Sequence, residues 1–283
     1  MAEGLVGGST KKTGVIGWPV SGSLSPLIHN AAFAALGLDW IYLPLPVPPG
    51  QVAEALAGLR ALGFAGANVT MPHKTEVAEL VGDLTEDAGR LRAVNAITVG
   101  EAGLVGHNTD APGFERFLRL DAGFDPQGRT ALLFGAGGAA RACALALARG
   151  GLTTLVVAAR DPGRAEELRS ALDGLGTTLQ LVSFDAAGEA RPDLVVNATP
   201  LGAAGEELPI PLLGAEATVV DLLYRPAVTS LLTRAKAAGA AAFGGLGLLL
   251  HQAALSFELW TGRAAPLPAM SAAALAELAE TSS

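Results

Sequence analysis

The segment Thr130–Phe134, TALLF, runs into Gly135-Ala-Gly-Gly-Ala-Ala140, and an alanine- and leucine-rich stretch follows to Arg149. That order constrains the fold more than any other feature of the chain. A short apolar run, a glycine cluster and a run of strong helix formers read as strand, tight loop and helix. The spacing matches G-x-G-x-x-A. Gly135 permits the tight turn, Gly137 removes a Cβ so that backbone can approach a pyrophosphate, and Ala140 lets helix and strand pack closely. The start of the helix adds N–H groups without intrahelical partners and the positive end of the dipole. Gly135, Ala136, Gly137, Gly138, Ala139 and Ala140 are therefore expected to form a dinucleotide-binding loop. The alternative is a tight βα turn in a Rossmann-like fold that binds nothing.

The same alternation continues on both sides. Downstream, Thr154–Arg160, Asp193–Pro200, Thr218–Tyr224 and Gly239–Gly245 read as strands, with helices over RAEELRSAL, from Leu246 to Thr261, and from Ser271. Upstream, strands are expected at Thr13–Gly17, Trp40–Val47 and up to Thr70, with helices near Ser25–Leu36, Val52–Leu62 and Pro72–Leu80. Ala93–Asp110 reads as two strands joined by a turn at Glu101-Ala-Gly103. Strands alternating with helices imply an α/β fold on a mostly parallel sheet. At roughly 150 residues per domain, 283 residues suggest two domains.

Several function classes are excluded by composition. Half the residues are hydrophobic, but the apolar runs are short, and the most lipid-like window, Phe243–Trp260, holds His251, Gln252 and Glu258. No membrane span is expected, nor is MAEGLVGGSTKK a secretory signal. The single cysteine, Cys143, excludes an internal disulfide, reads as a buried small hydrophobe and fits a reducing cytoplasm. A net charge of −8 argues against general nucleic-acid binding. The four histidines show no metal-ligand spacing, so no metal is assigned.

The cations are uneven: 15 arginines against Lys11, Lys12, Lys74 and Lys236. Lys74, in Asn68-Val-Thr-Met-Pro-His-Lys74, is alone between Thr13 and Ala235. An ammonium is a compact proton donor whose pKa moves on desolvation, and a guanidinium is neither. Where arginine fills most cationic positions, a lone lysine suits a chemical role, but on this stretch alone an ordinary solvated surface lysine is the plainer reading.

Eight motifs stand in one order: GWPVSGSLSPLIHNAAF (Gly17–Phe33), GANVTMPHK (Gly66–Lys74), AVNAI (Ala93–Ile97), GHNTDAPGF (Gly106–Phe114), GAGGAAR (Gly135–Arg141), NATPLG (Asn197–Gly202), DLLYRP (Asp221–Pro226) and GLGLLLHQAALSFELWTG (Gly245–Gly262). In these the chain resembles the shikimate dehydrogenase family over nearly its whole length. The resemblance implies an α/β substrate domain over residues 1–110, completed by 246–283, and a Rossmann-type NADP-binding domain over 111–245. It implies NADPH-linked reduction of 3-dehydroshikimate to shikimate in a cleft between them. Lys74 and Asp110 would be catalytic. Ser23 and Ser25 would bind the carboxylate, and Asn68, Thr70 and Asn95 the ring hydroxyls. Tyr224 and Gln252 would complete the substrate site. Ala198, Thr199, Leu222, Gly245 and Leu248 would line the cofactor. The implied partners are shikimate and 3-dehydroshikimate, with no nucleic acid or membrane, for a cytoplasmic monomer or homodimer.

Some of these residues have plainer readings. Ser25 before Pro26 is a good helix N-cap, Asp110 could cap a helix starting near Ala111, Asn68 and Asn95 could hold turns, and Gln252 could be a core amide. After the second Rossmann strand, Arg160 and Arg164 flank Asp161. Arginines there accept a 2′-phosphate, whereas an acidic residue grips a ribose hydroxyl. NADP is the expectation and NAD stays open. A quinate/shikimate dehydrogenase, or a non-catalytic NADP-binding protein of this fold, are the alternatives.

Overall fold

Each of the chain's two units is built on one six-stranded sheet among the residues that the computed structural model describes, 6–160, 162–211 and 213–280. The units are Met1–Thr109 with Gln252–Ser283, and Asp110–His251. Among the described residues, no helix is long and apolar enough to cross a membrane.

In the first unit, β1 (Lys11–Gly17) lies parallel to β2 (Trp40–Pro46) and to β3 (Gly66–Val69). β5 (Ala96–Gly100) then joins β3 antiparallel, β6 (Gly103–His107) joins β5 antiparallel, and β4 (Asp83–Leu84) closes the edge parallel to β6. The sheet is thus mixed, because the short turn at Glu101 and Ala102 can only return the chain antiparallel. The described part of this unit's first segment carries the helices α1 (Ser25–Ala35), α2 (Val52–Ala61), α3 (Lys74–Leu80) and α4 (Glu86–Leu91). β4 and α4 are too short to carry a periodic signal, and the sequence reading did not anticipate them. All four residues of β3 are buried, as for a strand covered on both faces. Val52, Leu56, Leu59, Ala67, Val69, Val77 and Ile97 form the core beside it.

The chain returns to this unit at its end. α10 (Leu267–Glu280) packs on α1. It starts four residues earlier than Ser271, since Pro268 sits in the first turn, where its missing N–H costs nothing. Trp260 donates its ring N–H to the Ile97 carbonyl at 2.9 Å. The indole lies so close to Gly66 that a Cβ there would run into both the ring and that carbonyl.

In the second unit all strands are parallel, in the order β12-β11-β10-β7-β8-β9. They are β7 (Thr130–Phe134), β8 (Thr154–Ala158), β9 (Thr178–Val182), β10 (Leu194–Asn197), β11 (Thr218–Asp221) and β12 (Ala241–Gly244). This is the 3-2-1-4-5-6 Rossmann order, with its switch point between β7 and β10. Edge strand β9 went unread in the sequence because its half-exposed residues give no apolar run. The helices are α5 (Asp110–Phe117), α6 (Gly138–Arg149), α7 (Pro162–Leu172), α8 (Ser230–Ala237) and the first residues of α9 (Leu246–Thr261). A π-helical turn, Leu118–Ala122, extends α5. The core joins Leu133, Leu155 and Val157 to Ala140, Cys143, Ala144 and Leu147 of α6.

Gly66→Ala should destabilise the protein by about 1–3 kcal/mol, the cost of overpacking a closed core. Urea unfolding would check this, and an unchanged midpoint would show that β3 and α9 can separate freely.

Candidate active site

The chain leaves β1 and β3 of the first unit through loops pinned by their own backbone. Thr70 N–H donates to Ile16 O at 2.9 Å and Trp18 N–H to Met71 O at 3.0 Å. The ring of His73 donates from Nε2 to Val47 O at 2.7 Å. Lys74 follows as the first residue of α3, its carbonyl accepting from Val94 N–H at 2.9 Å and its side chain half-buried. After β1, Ser25 N–H donates to Ser23 Oγ at 3.2 Å. Ser25 is not the N-cap of α1: Leu24 holds that position, and Ser25 is the first helical residue.

Asn68, near the end of β3, is buried and makes three side-chain hydrogen bonds. Its Oδ1 accepts from the Tyr42 hydroxyl at 2.8 Å, and its Nδ2 donates to Asn95 O at 3.0 Å and Ser256 Oγ at 2.9 Å. Asn95 is buried beside it. Its Oδ1 accepts from Thr109 N–H at 2.6 Å, and its Nδ2 donates to Thr109 Oγ1 at 2.9 Å and Gln252 Oε1 at 3.4 Å. Thr109 is thereby fixed just before buried Asp110, which opens α5. Asn68, Asn95 and Gln252 thus meet in one network, and Tyr42, Thr109 and Ser256 join it without having been singled out in the sequence. Only Ser256 left a trace there: Gln252, Ser256 and Trp260 recur every four residues on one face of α9. Behind Tyr42 lies His29, its ring stacked at 4.3 Å and 1°. Burial drives the His29 pKa down to about 3, only partly offset by Asn68. No hydrogen bond of good geometry reaches either ring nitrogen among the described residues, so the contact with Asn68 is a weak one.

In the second unit the glycine loop meets the loop after β10. Gly135 has φ +105°, and a Cβ on it would press on Ala198 O and Thr199 Cγ2, each at 3.1 Å. Around Gly137 a Cβ would meet nothing within 4 Å. Gly137 is also the N-cap of α6 and offers no side chain to the first-turn N–H groups of Gly138, Ala139 and Ala140. An open cradle lined by backbone donors fits a pyrophosphate. β10 and β11 end alike. Asn197 Oδ1 accepts from Thr199 N–H at 3.0 Å, and Asp221 Oδ1 accepts from Leu223 N–H at 3.1 Å. The two side chains bond at 2.9 Å, and Thr229 Oγ1, the N-cap of α8, donates to Asp221 Oδ2 at 2.7 Å. Burial raises the Asp221 pKa against these donors. The turn at Asp221 stops β11 three residues short of Tyr224, which stands in the loop, half-buried, its pKa raised by burial.

Gly245 has no room for a side chain against the Leu222 carbonyl, and Leu222 and Leu248 pack on the core of this unit. Arg160 is exposed just beyond β8. Asp161 and the Arg164 side chain lie outside the described residues. Among the described residues, no group of three or more His, Cys, Asp or Glu could hold a metal ion.

A Rossmann sheet with an open glycine loop at its switch point, and an α/β unit bearing a lysine and oriented amides, are the architecture found in nucleotide-linked α/β oxidoreductases. Residues 15–97 match the shikimate dehydrogenase substrate binding domain, and residues 245–275 the Shikimate 5'-dehydrogenase C-terminal domain. The chain is 44% identical over 280 residues to a shikimate dehydrogenase (NADP(+)) of Geobacter metallireducens, covering 96% of this chain and 98% of that one. It is also similar to the Thermus thermophilus shikimate 5-dehydrogenase solved with NADP(H) and shikimate (TM-score 0.85, 37% identity, 94% and 99% of the two chains). A Corynebacterium glutamicum quinate dehydrogenase solved with NAD is a further likeness (TM-score 0.87, 30% identity, 94% and 99%). The chain belongs to the shikimate dehydrogenase family.

His29 generates a pH prediction. Its folded pKa of about 3 lies below the unfolded value of 6.5, so the unfolded chain binds the extra proton between them. Stability should fall as pH drops from 6.5 towards 3, by up to about 1.4 kcal/mol per pH unit from this group. In His29→Phe that part of the slope should vanish in denaturant titrations across this range; an unchanged slope would assign it to other groups.

Proposed function

We propose that the chain is an NADP(H)-linked dehydrogenase that interconverts 3-dehydroshikimate and shikimate. The observation that carries this reading is the set of polar residues where the first unit's strands end: Asn68, Thr70, Lys74 and Asn95, two of them with amides already oriented. A polyhydroxylated ring acid needs several fixed donors and acceptors. In the proposed roles, the Ser23 and Ser25 hydroxyls bind the carboxylate. Asn68, Thr70 and Asn95 hold ring hydroxyls, and Gln252 and Tyr224 complete the substrate site. The cofactor is held by the Gly135–Ala140 loop, with Ala198, Thr199, Leu222, Gly245 and Leu248 towards its nicotinamide end and Arg160 and Arg164 towards the 2′-phosphate.

NADPH, when bound, supplies the hydride for the ketone carbon. As negative charge builds on the ketone oxygen, the Lys74 ammonium stabilises it and delivers the proton that makes the alcohol. Asp110 is the carboxylate that pairs with the lysine, orients its ammonium and shares its proton, and Asn95 serves it by fixing Thr109. The lone cysteine, buried in α6, suits a reducing compartment, and the cytoplasm is the proposed location.

Lys74→Ala should lower kcat by roughly 10²- to 10⁴-fold, the worth of a positioned acid–base group, with a much smaller change in KM for shikimate. Asp110→Asn should also slow turnover. A folded Lys74→Ala protein with near wild-type kcat would sink the assignment. For the cofactor, Arg160→Ala should reduce kcat/KM far more for NADP than for NAD, since a hydrogen bond to a charged group contributes about 1.5–3 kcal/mol. If the variant used NADP undiminished while the wild type preferred NAD, Asp161 rather than Arg160 would govern cofactor choice.

A further inference from the structure

The Asn68 amide has a determined orientation. The Asn95 carbonyl can only accept, so the nitrogen end of Asn68 faces it at 3.0 Å. Ser256 gives its own proton to Gln252 O at 3.1 Å, so its oxygen is left to accept the second Asn68 N–H at 2.9 Å. The amide oxygen therefore faces Tyr42, whose hydroxyl donates to it at 2.8 Å. An amide has two N–H donors and two oxygen lone pairs. Here both donors and one lone pair are committed within the protein, and one lone pair remains.

We propose that Tyr42 is a positioning residue that, with Ser256, presents Asn68 to the substrate purely as a hydrogen-bond acceptor. This rests on the reading of Asn68 as a ligand of a ring hydroxyl. What Asn68 recognises is then a group that donates, an alcohol O–H; a carbonyl or carboxylate oxygen at that place meets only a lone pair. The site thereby discriminates between the alcohol and ketone positions of one ring. Tyr42 suits this role because its phenol cannot turn to water. The residue is buried, stacked face to face on His29 and bordered by Trp260 at 6.1 Å. Burial also keeps the phenol protonated, and thus a donor, well above its ordinary range.

The test is steady-state kinetics of Tyr42→Phe, Asn68→Ala and the double variant, with thermal unfolding beside it. Tyr42→Phe keeps the ring stack and removes only the donor. KM for shikimate should rise about 3- to 10-fold, the worth of one hydrogen bond, with kcat and KM for NADP nearly unchanged. The double variant should be no worse than Asn68→Ala, because the tyrosine acts through the asparagine. A folded Tyr42→Phe with wild-type KM, beside an impaired Asn68→Ala, would overturn the proposal and leave Asn68 as a ligand. Wild-type KM in Asn68→Ala would overturn both. If Tyr42→Phe did not fold, Ser256→Ala would decide. It releases one Asn68 N–H and should raise KM for shikimate, and an unchanged KM would refute the acceptor-only role.

Discussion

The hydrogen bond from Asn197 Nδ2 to Asp221 Oδ1 organises the end of the second sheet on which the cofactor reading depends. Parallel strands all leave their ladder at the same edge, and each leaves backbone groups there that need partners. Asn197 and Asp221 are register partners on neighbouring strands, and each takes the N–H two residues ahead of it. Two loops thus turn at the same level, and the bond between the side chains ties one turn to the other. Asp221 is fully buried. A carboxylate in that position is tolerable because Asn197, Leu223 and Thr229 all donate to it.

Asparagines do the same work in the first unit. Asn68 closes β3 onto the carbonyl of Asn95, and Asn95 secures the N–H of Thr109 just before α5. In both units, side chains that satisfy backbone at strand ends are also among, or next to, the residues to which the proposed function gives a ligand. Because their hydrogen bonds are made within the protein itself, little reorganisation would be left for the proposed reaction, which is the physical content of preorganisation. The plainer reading of Asn68 and Asn95, as residues that hold turns, and the functional one are therefore compatible.

The fold was largely legible because its signals are local. Apolar runs ending in glycine or asparagine marked β7 and β10, and α9 was read at its observed bounds, Leu246–Thr261. Elements without such signals escaped: β9 is a half-exposed edge, and β4 spans two residues. Ser25 misled for a related reason. Serine before proline is a frequent helix start, yet here the helix begins one residue sooner and the Ser23 hydroxyl receives the Ser25 N–H.

By itself the sequence determined the order of strands and helices, the glycines of the loop between β7 and α6, and the isolation of one lysine among arginines. Each is a matter of residue type and near-neighbour spacing. Only the tertiary structure decided which polar groups meet. Asn68 and Ser256 are 188 residues apart and bond at 2.9 Å, and Tyr42, an ordinary strand residue in the sequence, directs its proton to Asn68. Hydrogen-bond partners brought together by the return of α9 leave no periodicity to read. The direction of each bond also depends on every other partner of the same atoms, which exist as a set only once the chain has folded.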